Sequence, residues 1–434
     1  MNVSNKLKST LPAHMYDLLI FIGQAADKKR YRVFCVGGSV RDLLLGIKNF
    51  DLDIVVEDNA IKFSRILAND LKGSLVVHKK FGTATIVIPN RFKIDVATAR
   101  TECYKYPASL PTVKFASIKE DLHRRDFTIN AMAISINKNT FGELIDFFNG
   151  QRDLKAKEIR VLHNLSFVED PTRIFRAVRF EQRFGFKIEP RTEGLIKTAV
   201  SLDMFGRTQK QRIRDEIILI LSEDAPVSAV MRLNQLHELR FIHPRLKLHK
   251  HATSLFKAID EACAWYKLSF LNKRPIDAWV IYFMALVNAL TKNEIKSICE
   301  KFVFTKGDEK RIISCREKAK SLATQLDKKS QILPSAIYKN LEPLSYEVIL
   351  FIMAATKTGQ AKKRISLFFN KYNGKRLSIT GEDLKATGLA PGPKYKNILD
   401  KILYAKLDGK VRNKQEELTM VKKIITGRLK QESP

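Results

Sequence analysis

The chain predicts an α+β protein, a head built on a mixed sheet with helices and an all-α remainder. Two patterns carry this. Short β-like apolar runs, at residues 33–36, 51–56, 75–77, 83–88 and 92–96, alternate with helical periods in the first third of the chain. Beyond residue 190 no strand signal returns, and apolar residues recur at helical spacing. At 434 residues, with 45% hydrophobic and 28% charged side chains, there is room for two to four domains and a substantial core.

Residues 5–30 read as a lead-in amphipathic helix. The stretch RVFCVGGSVRDLLLGIKNFDLDIVV follows, from Arg32 to Val56. An apolar strand ends at Gly37-Gly38, a helical pattern carries Arg41 and Asp42, and the chain returns as Asp51-Leu52-Asp53-Ile54-Val55-Val56. Gly-Gly after a strand serves a tight turn, or lets the backbone approach a phosphate at a helix N-terminus. Asp51 and Asp53 sit two apart on a strand and so share a face. Carboxylates held that close repel unless a cation lies between them, and hard divalent ions take such ligands. Gly37 and Gly38 with the acid pair are the equipment for metal-assisted nucleotidyl transfer.

Residues 60–71 read as a helix, and Phe81-Gly82-Thr83 as a turn between strands. FKIDV places Asp95 on an apolar strand, either paired with a nearby cation such as Arg100 or acting beside the acid pair. Residues 101–120 hold two prolines and no clear period and read as a mobile loop. In HRRDFTINAMA, Arg124 and Arg125 are two guanidiniums suited to phosphate, or a charged helix end; Asp126, Thr128 and Asn130 can bond a ribose or fix those arginines.

VEDPTRIFRAVRF, from Val168, carries a second constellation. Pro171 suits a first helical turn, which makes Asp170 an N-cap candidate. Arg173, Arg176 and Arg179 recur every three residues, and Glu169 lies one turn before Arg173. Asp170 with Arg173 also offers an acceptor beside a donor. Cytosine and adenine present the complementary amino group and ring nitrogen; guanine and uracil would leave groups unpaired, at about 1–3 kcal/mol each.

These residues carry a family resemblance. Gly-Gly followed by Asp-x-Asp resembles the signature of polymerase-beta-type nucleotidyltransferases. GGSVRDLLLG…DLDIVV, RRDFTINAMA and EDPTRIFRAVRF together resemble class II tRNA nucleotidyltransferases (CCA-adding enzymes) and the related bacterial poly(A) polymerases. The resemblance implies a polymerase-beta-type head followed by neck, body and tail. It implies Mg²⁺ on Asp51 and Asp53, with Asp95 as the third acid. Triphosphate would lie on Gly37, Gly38, Arg41 and Arg125, with the sugar near Asn130. Asp170 and Arg173 would read the base, and Arg176 and Arg179 would also face and bind the nucleotide. Residues 143–154, with Asp146, Gly150 and Asp153-Leu154, resemble the family's structural hinge. GRTQKQRIRDEIILIL, residues 206–221, resembles its neck helix, with Gln211-Arg212 where Glu-Arg is usual. The implied domains are 1–150 head, 151–225 neck carrying the base template, 226–360 body and 361–434 tail.

Charge points the same way. Lys and Arg number 77 against 46 Asp and Glu, a formal +31, which favours a polyanionic partner. No long basic amphipathic helix stands out for a membrane surface. The apolar run 278–287 is half a membrane span and reads as a buried helix. The N-terminus lacks an apolar core of leader length. Five scattered cysteines without a Cys-x-x-Cys pair fit a reducing cytoplasm. His251, Trp265 and Trp279 read as packing residues. In the basic tail, 18 Lys/Arg face 7 Asp/Glu over 361–434. There a Pro-Gly-Pro turn precedes Lys394 and Lys396, resembling the family's tRNA-contacting tail, or else a solvated helix end. The expectation is a cytoplasmic enzyme adding C and/or A to tRNA 3′ ends from CTP and ATP, with no membrane and no obligate protein partner. Open alternatives are CC-only addition, A-only addition, poly(A) synthesis, a small-molecule nucleotidyltransferase, and a non-enzymatic RNA-binding protein.

Overall fold

A computed structural model of the chain describes residues 1–48, 51–89, 92–103, 106, 108, 112–246, 248, 250–270 and 274–427. It forms two compact units, Met1–Phe241 and Ile242–Pro434. In the first, the expected lead-in helix is two, α1 (Ser4–Thr10) and α2 (Ala13–Lys28), because the residue before Pro12 is pushed to extended backbone. The head continues as β1 (Arg32–Val36), α3 (Gly38–Leu45), β2 (Leu52–Glu57), α4 (Ala60–Asp70), β3 (Ser74–His78), β4 (Thr83–Val87) and β5 (Lys93–Thr98).

Residues 101–120 are not structureless where described. β6 (Arg100–Cys103) and β7 (Thr112–Phe115) pair antiparallel, with Arg100 opposite Phe115, and α5 (Ile118–His123) follows behind a Ser117–Glu120 capping box. The intervening residues 104, 105, 107 and 109–111 lie outside the description, as do the side chains of Cys103 and His251. β8 (Ala133–Ser135) and β9 (Leu144–Ile145) complete a seven-stranded sheet in the order β3-β4-β5-β2-β1-β8-β9. β2 and β5 run parallel; every other neighbouring pair is antiparallel.

Alternation decides which face is buried. Ile54, Ile86, Ile94 and Val96 bury beneath Phe63 and Leu67 of α4, whose Ala60 N–H donates to Thr98 Oγ1. On the opposite face, Phe34, Val55 and Ala133 pack under Ile118 and Leu122 of α5. The hinge resemblance is structural, as expected. Asp146 accepts from Gly150 and Gln151 N–H at the start of α6 (Gly150–Ala156), and buried Asp153 holds Thr128 Oγ1 and Arg160.

Helices dominate afterwards: α7 (Ser166–Glu169), α8 (Thr172–Phe184), α9 (Pro190–Ser201), α10 (Met204–Arg207), α11 (Lys210–Leu221) and α12 (Pro226–Gln235). Two-residue strands at Glu158–Ile159 and Lys187–Ile188 pair parallel between them. The second unit is helical throughout its described residues. Helix Ala278–Leu286 is buried from Val280 onward, and no described helix is long and apolar enough to cross a membrane. Trp265 packs on Phe270 and Phe369, and Trp279 stacks on Phe304, so both pack as expected. The tail has its own small core, including Leu384, Ile402 and Val421. Buried Glu417 accepts from Ser378 and Ile379 N–H and pairs with Lys406.

α2 approaches the sheet so closely that a Cβ on Gly23 would stand 1.8 Å from the Ile136 carbonyl oxygen. Gly23→Ala is expected to destabilise the first unit by about 1–3 kcal/mol. Denaturant melts will read this as a lowered midpoint, and an unchanged midpoint would contradict the packing.

Candidate active site

β1 delivers the chain into Gly37, whose φ of +71° with ψ of −127° is backbone that only glycine adopts without strain. A Cβ there would also meet Arg125 Nη1 at 2.7 Å and push that guanidinium aside. Gly38 opens α3, presenting backbone N–H groups beside two guanidiniums. Arg41, one turn along, donates Nε to Asp42 at 2.8 Å and Nη1 to Asn130 Oδ1 at 2.6 Å, and lies over the rings of Phe180 and Phe184. Burial lowers its pKa, and Asp42 counters that. Arg124 and Arg125 close on buried Asp121 at 2.7 and 3.0 Å. Burial would raise the Asp121 carboxyl, but Arg125 and Arg124 outweigh it and hold it below the carboxylate range.

The acid pair takes a specific form. Asp53 lies on β2, with Asp51 one residue before the strand. Asp95 on β5 is its direct register partner across a parallel ladder, so their Cα atoms stand one strand spacing, about 4.8 Å, apart on the same face. Asp95 accepts from Thr85 Oγ1 at 2.6 Å, while Arg100 turns to Glu102 and the Phe81 carbonyl instead. Loss of surrounding water raises the Asp53 carboxyl; Arg125 pulls it back, and Asp95 and Asp51 push it up again. Carboxylates gathered on one face of a sheet are a donor set suited to a hard divalent cation. Among the described residues no three His, Cys, Asp or Glu side chains converge as a ready-made cage; Mg²⁺ ordinarily uses one or two carboxylates plus substrate phosphates.

The second constellation differs from its expected pairing. Asp170 lies one residue before the α8 N-cap, which is Pro171, and accepts from Thr172 N–H at 3.1 Å and its hydroxyl at 2.6 Å. Its ion pair is with Arg212 of α11, at 2.6 Å, rather than with Arg173. Arg173 donates to Ser166 Oγ and the Arg124 carbonyl, and Glu169 faces His163 at 3.4 Å. Arg176 makes a two-pronged pair with Asp126, at 2.9 and 2.7 Å, and reaches Glu216. Arg179 faces Glu216 and Glu223 at 3.6 and 3.5 Å. Burial works against charge on Asp126, but Arg176, Asn130 and Arg173 prevail and hold it at about 2.

These groups line one open cleft of about 800 Å³ within the first unit. Gly37, Gly38, Arg41, Asp51, Asp53, Arg125, Asn130, Asp170, Arg173, Arg176 and Arg179 all reach it. Asp95 adjoins it through Asp53; Lys394 and Lys396 belong to the second unit, exposed on the first turn of helix Pro393–Leu407. Arg100 and Arg212, named from sequence in other roles, also line it, as do Glu102, Phe180 and Arg183, which were not singled out. Arg183 continues the helical stripe one turn beyond Arg179 and was legible; Arg212 pairs 42 positions from Asp170 and was not. Of the six buried side-chain atoms without a partner among the described residues, four belong to this neighbourhood: Nε of Arg100, Arg125 and Arg179, and Glu216 Oε2. The three orphaned N–H donors, on Arg100, Arg125 and Arg179, are what a polyanionic ligand would satisfy; Glu216 Oε2 is an acceptor and faces Arg179.

Comparison with known proteins places the chain in a family. A family model described as "Poly A polymerase head domain" matches residues 33–160, and one described as "Probable RNA and SrmB- binding site of polymerase A" matches residues 185–249. The chain is 41% identical to an A-adding tRNA nucleotidyltransferase of Geobacter sulfurreducens, over 94% of its own length and 47% of the relative's. It thus spans about half of that protein. It is 31% identical to an A-adding tRNA nucleotidyltransferase of Halalkalibacterium halodurans, covering 98% of this chain and 96% of that one. The Thermotoga maritima CCA-adding enzyme, solved in complex with tRNA-CCA, superposes with a TM-score of 0.75 at 35% identity over 98% of this chain and 99% of that one. The chain belongs to the tRNA nucleotidyltransferase and poly(A) polymerase family.

The Asp126–Arg176 pair ties α8 to the head. The Asp126 carboxyl is held below its unfolded value, so its contribution is present above about pH 4 and is lost as pH falls toward 2. It amounts to about 2 kcal/mol. Acid melts of the protein should show this loss, and Asp126→Asn, less stable at neutral pH, should lack it. Equal acid slopes would contradict the pairing.

Proposed function

We propose that this chain is a nucleotidyltransferase that extends tRNA 3′ ends with C and/or A residues, from CTP and ATP, without a nucleic-acid template. One observation carries the reading: Asp53 stands at the junction between its register partner Asp95 and the Gly37–Arg125 cradle. Asp51 and Asp53 are the residues to hold Mg²⁺. When bound, the metal supplies charge neutralisation at the reacting phosphate and activation of the attacking hydroxyl. Gly37, Gly38, Arg41 and Arg125 hold the triphosphate against α3, and Arg125 faces the charge that grows on the leaving pyrophosphate. Asn130 keeps Arg41 oriented at the sugar side. Asp95, within one strand spacing of Asp53, is placed to accept the proton of the attacking hydroxyl. Asp170 accepts from an exocyclic amino group, and Arg173 donates to a ring nitrogen, which suits adenine and cytosine and refuses guanine and uracil. Arg176 and Arg179 stabilise the helix that presents that pair.

Of the family's activities, the named functions of the two A-adding relatives favour terminal A addition for this chain. Residues 151–225 serve as the neck, 226–360 as the body and 361–434 as the tail, where Lys394 and Lys396 contact tRNA phosphates. Buried, unpaired Cys35, Cys263, Cys299 and Cys315 suit a reducing cytoplasm.

The test is a tRNA extension assay with CTP and ATP supplied one at a time, to tRNA lacking CCA, lacking only A, and complete. Incorporation of A onto the CC end is expected with ATP alone, and the double variant Asp51→Ala with Asp53→Ala should lose it by at least roughly 10²-fold. Full retention in the double variant would overturn the catalytic assignment. Addition of C to tRNA lacking CCA would assign the wider activity.

A further inference from the structure

Among the described residues the head sheet leaves a face open beyond the nucleotide cleft, which it meets at Asp53. In register across four strands, Val76, Thr85, Asp95 and Asp53 form one row on the face opposite α4. The row beside it contains Ser74, Val87 and Lys93. α5 covers this face over β1 and β8, but over β3 and β5 the outward residues Ser74, Val76, His78, Lys93 and Asp95 are all exposed, Val76 to 51%. Val76 is thus the apolar member of an otherwise polar open row that runs into the Asp95 and Asp53 carboxylates.

Direction supplies the occupant. The phosphate cradle, Gly37 and Gly38 with Arg125, lies on the β1 side of Asp53. In phosphoryl transfer the attacking and leaving oxygens lie roughly in line on opposite sides of the phosphorus. With the leaving pyrophosphate drawn toward β1, the attacking hydroxyl must reach the acid row from the other flank, over β5 and β4. Resting on the nucleotidyl-transfer reading above, we propose that the open face of β3–β4–β5 seats the 3′-terminal nucleotides of the RNA acceptor. Val76 gives an apolar platform for an unpaired base or ribose. Lys93 contacts a backbone phosphate. Thr85, which holds Asp95, sits between this platform and the reacting end. The seat is about three strand spacings wide, near 14 Å from Val76 to Asp53.

Val76→Asp and Lys93→Glu test this, with Lys62→Glu, exposed on α4 over the other face, as the control. All three positions are exposed, and thermal melts verify folding. The expected result is a KM for RNA acceptor raised at least tenfold in both test variants, with the KM for nucleotide within twofold of wild type and the control neutral. Lys93→Glu should also reduce the slope of log acceptor affinity against log salt by about 0.7. An acceptor KM unmoved in both variants would overturn the seat. Independently of folding, wild-type protein crosslinked to an acceptor carrying 4-thiouridine near its 3′ end should yield adducts in peptides spanning β3 to β5; adducts confined to other segments would overturn it. A wild-type protein that extends no RNA would sink the nucleotidyl-transfer reading itself, a distinguishable failure.

Discussion

Like charges forced together set the terms for this molecule. The register of β2 against β5 puts Asp53 and Asp95 one strand spacing apart, with Asp51 just before the strand on the same side. Loss of surrounding water raises the Asp53 carboxyl, Arg125 pulls it back, and the nearby Asp95 and Asp51 push it up again, while all three acids stay on the exposed rim of the sheet. Such a placement is stable only because the strands are pinned from behind, where Ile54, Ile94 and Val96 are buried against α4. A sheet with one apolar face and one acid-bearing face is a way to hold repelling ligands still until a cation arrives.

The arginines around the cleft solve the converse problem. Arg41, Arg124, Arg125, Arg173, Arg176 and Arg179 would repel one another if left bare, and each is partly neutralised by an acid or a carbonyl of the frame. The neutralisation is incomplete: Nε atoms of Arg125 and Arg179 are buried without partners. The cleft is therefore organised but electrostatically unsatisfied, the condition in which a polyphosphate gains most from binding. Asp126 anchors the arrangement, since it takes Arg176 from α8 and Asn130 from the head in one carboxylate.

Much of this was legible because it depends on neighbours in sequence. The strand runs, the Gly37 turn and the two-residue spacing of Asp51 and Asp53 each express a local period or a steric demand. What stayed hidden depends on tertiary choice. The β6–β7 ladder has four residues a side, too short for a period to declare itself amid prolines. Asp170 offered Arg173 three positions away, yet its partner is Arg212, brought in by the packing of α11 on α8. Likewise Asp95 was open to pairing with Arg100, and the ladder with β4 gave it Thr85 instead. Sequence spacing names the groups that can meet; sheet register and helix packing decide which of them do.

The most direct measurement is anomalous diffraction from crystals soaked with Mn²⁺ and a non-hydrolysable nucleoside triphosphate. The account predicts a manganese peak shared by the Asp51 and Asp53 carboxylates and the bound phosphates, with the triphosphate lying against Gly37 and Arg125. Ordered nucleotide in the cleft with the metal held elsewhere, and no ion on either carboxylate, would contradict it.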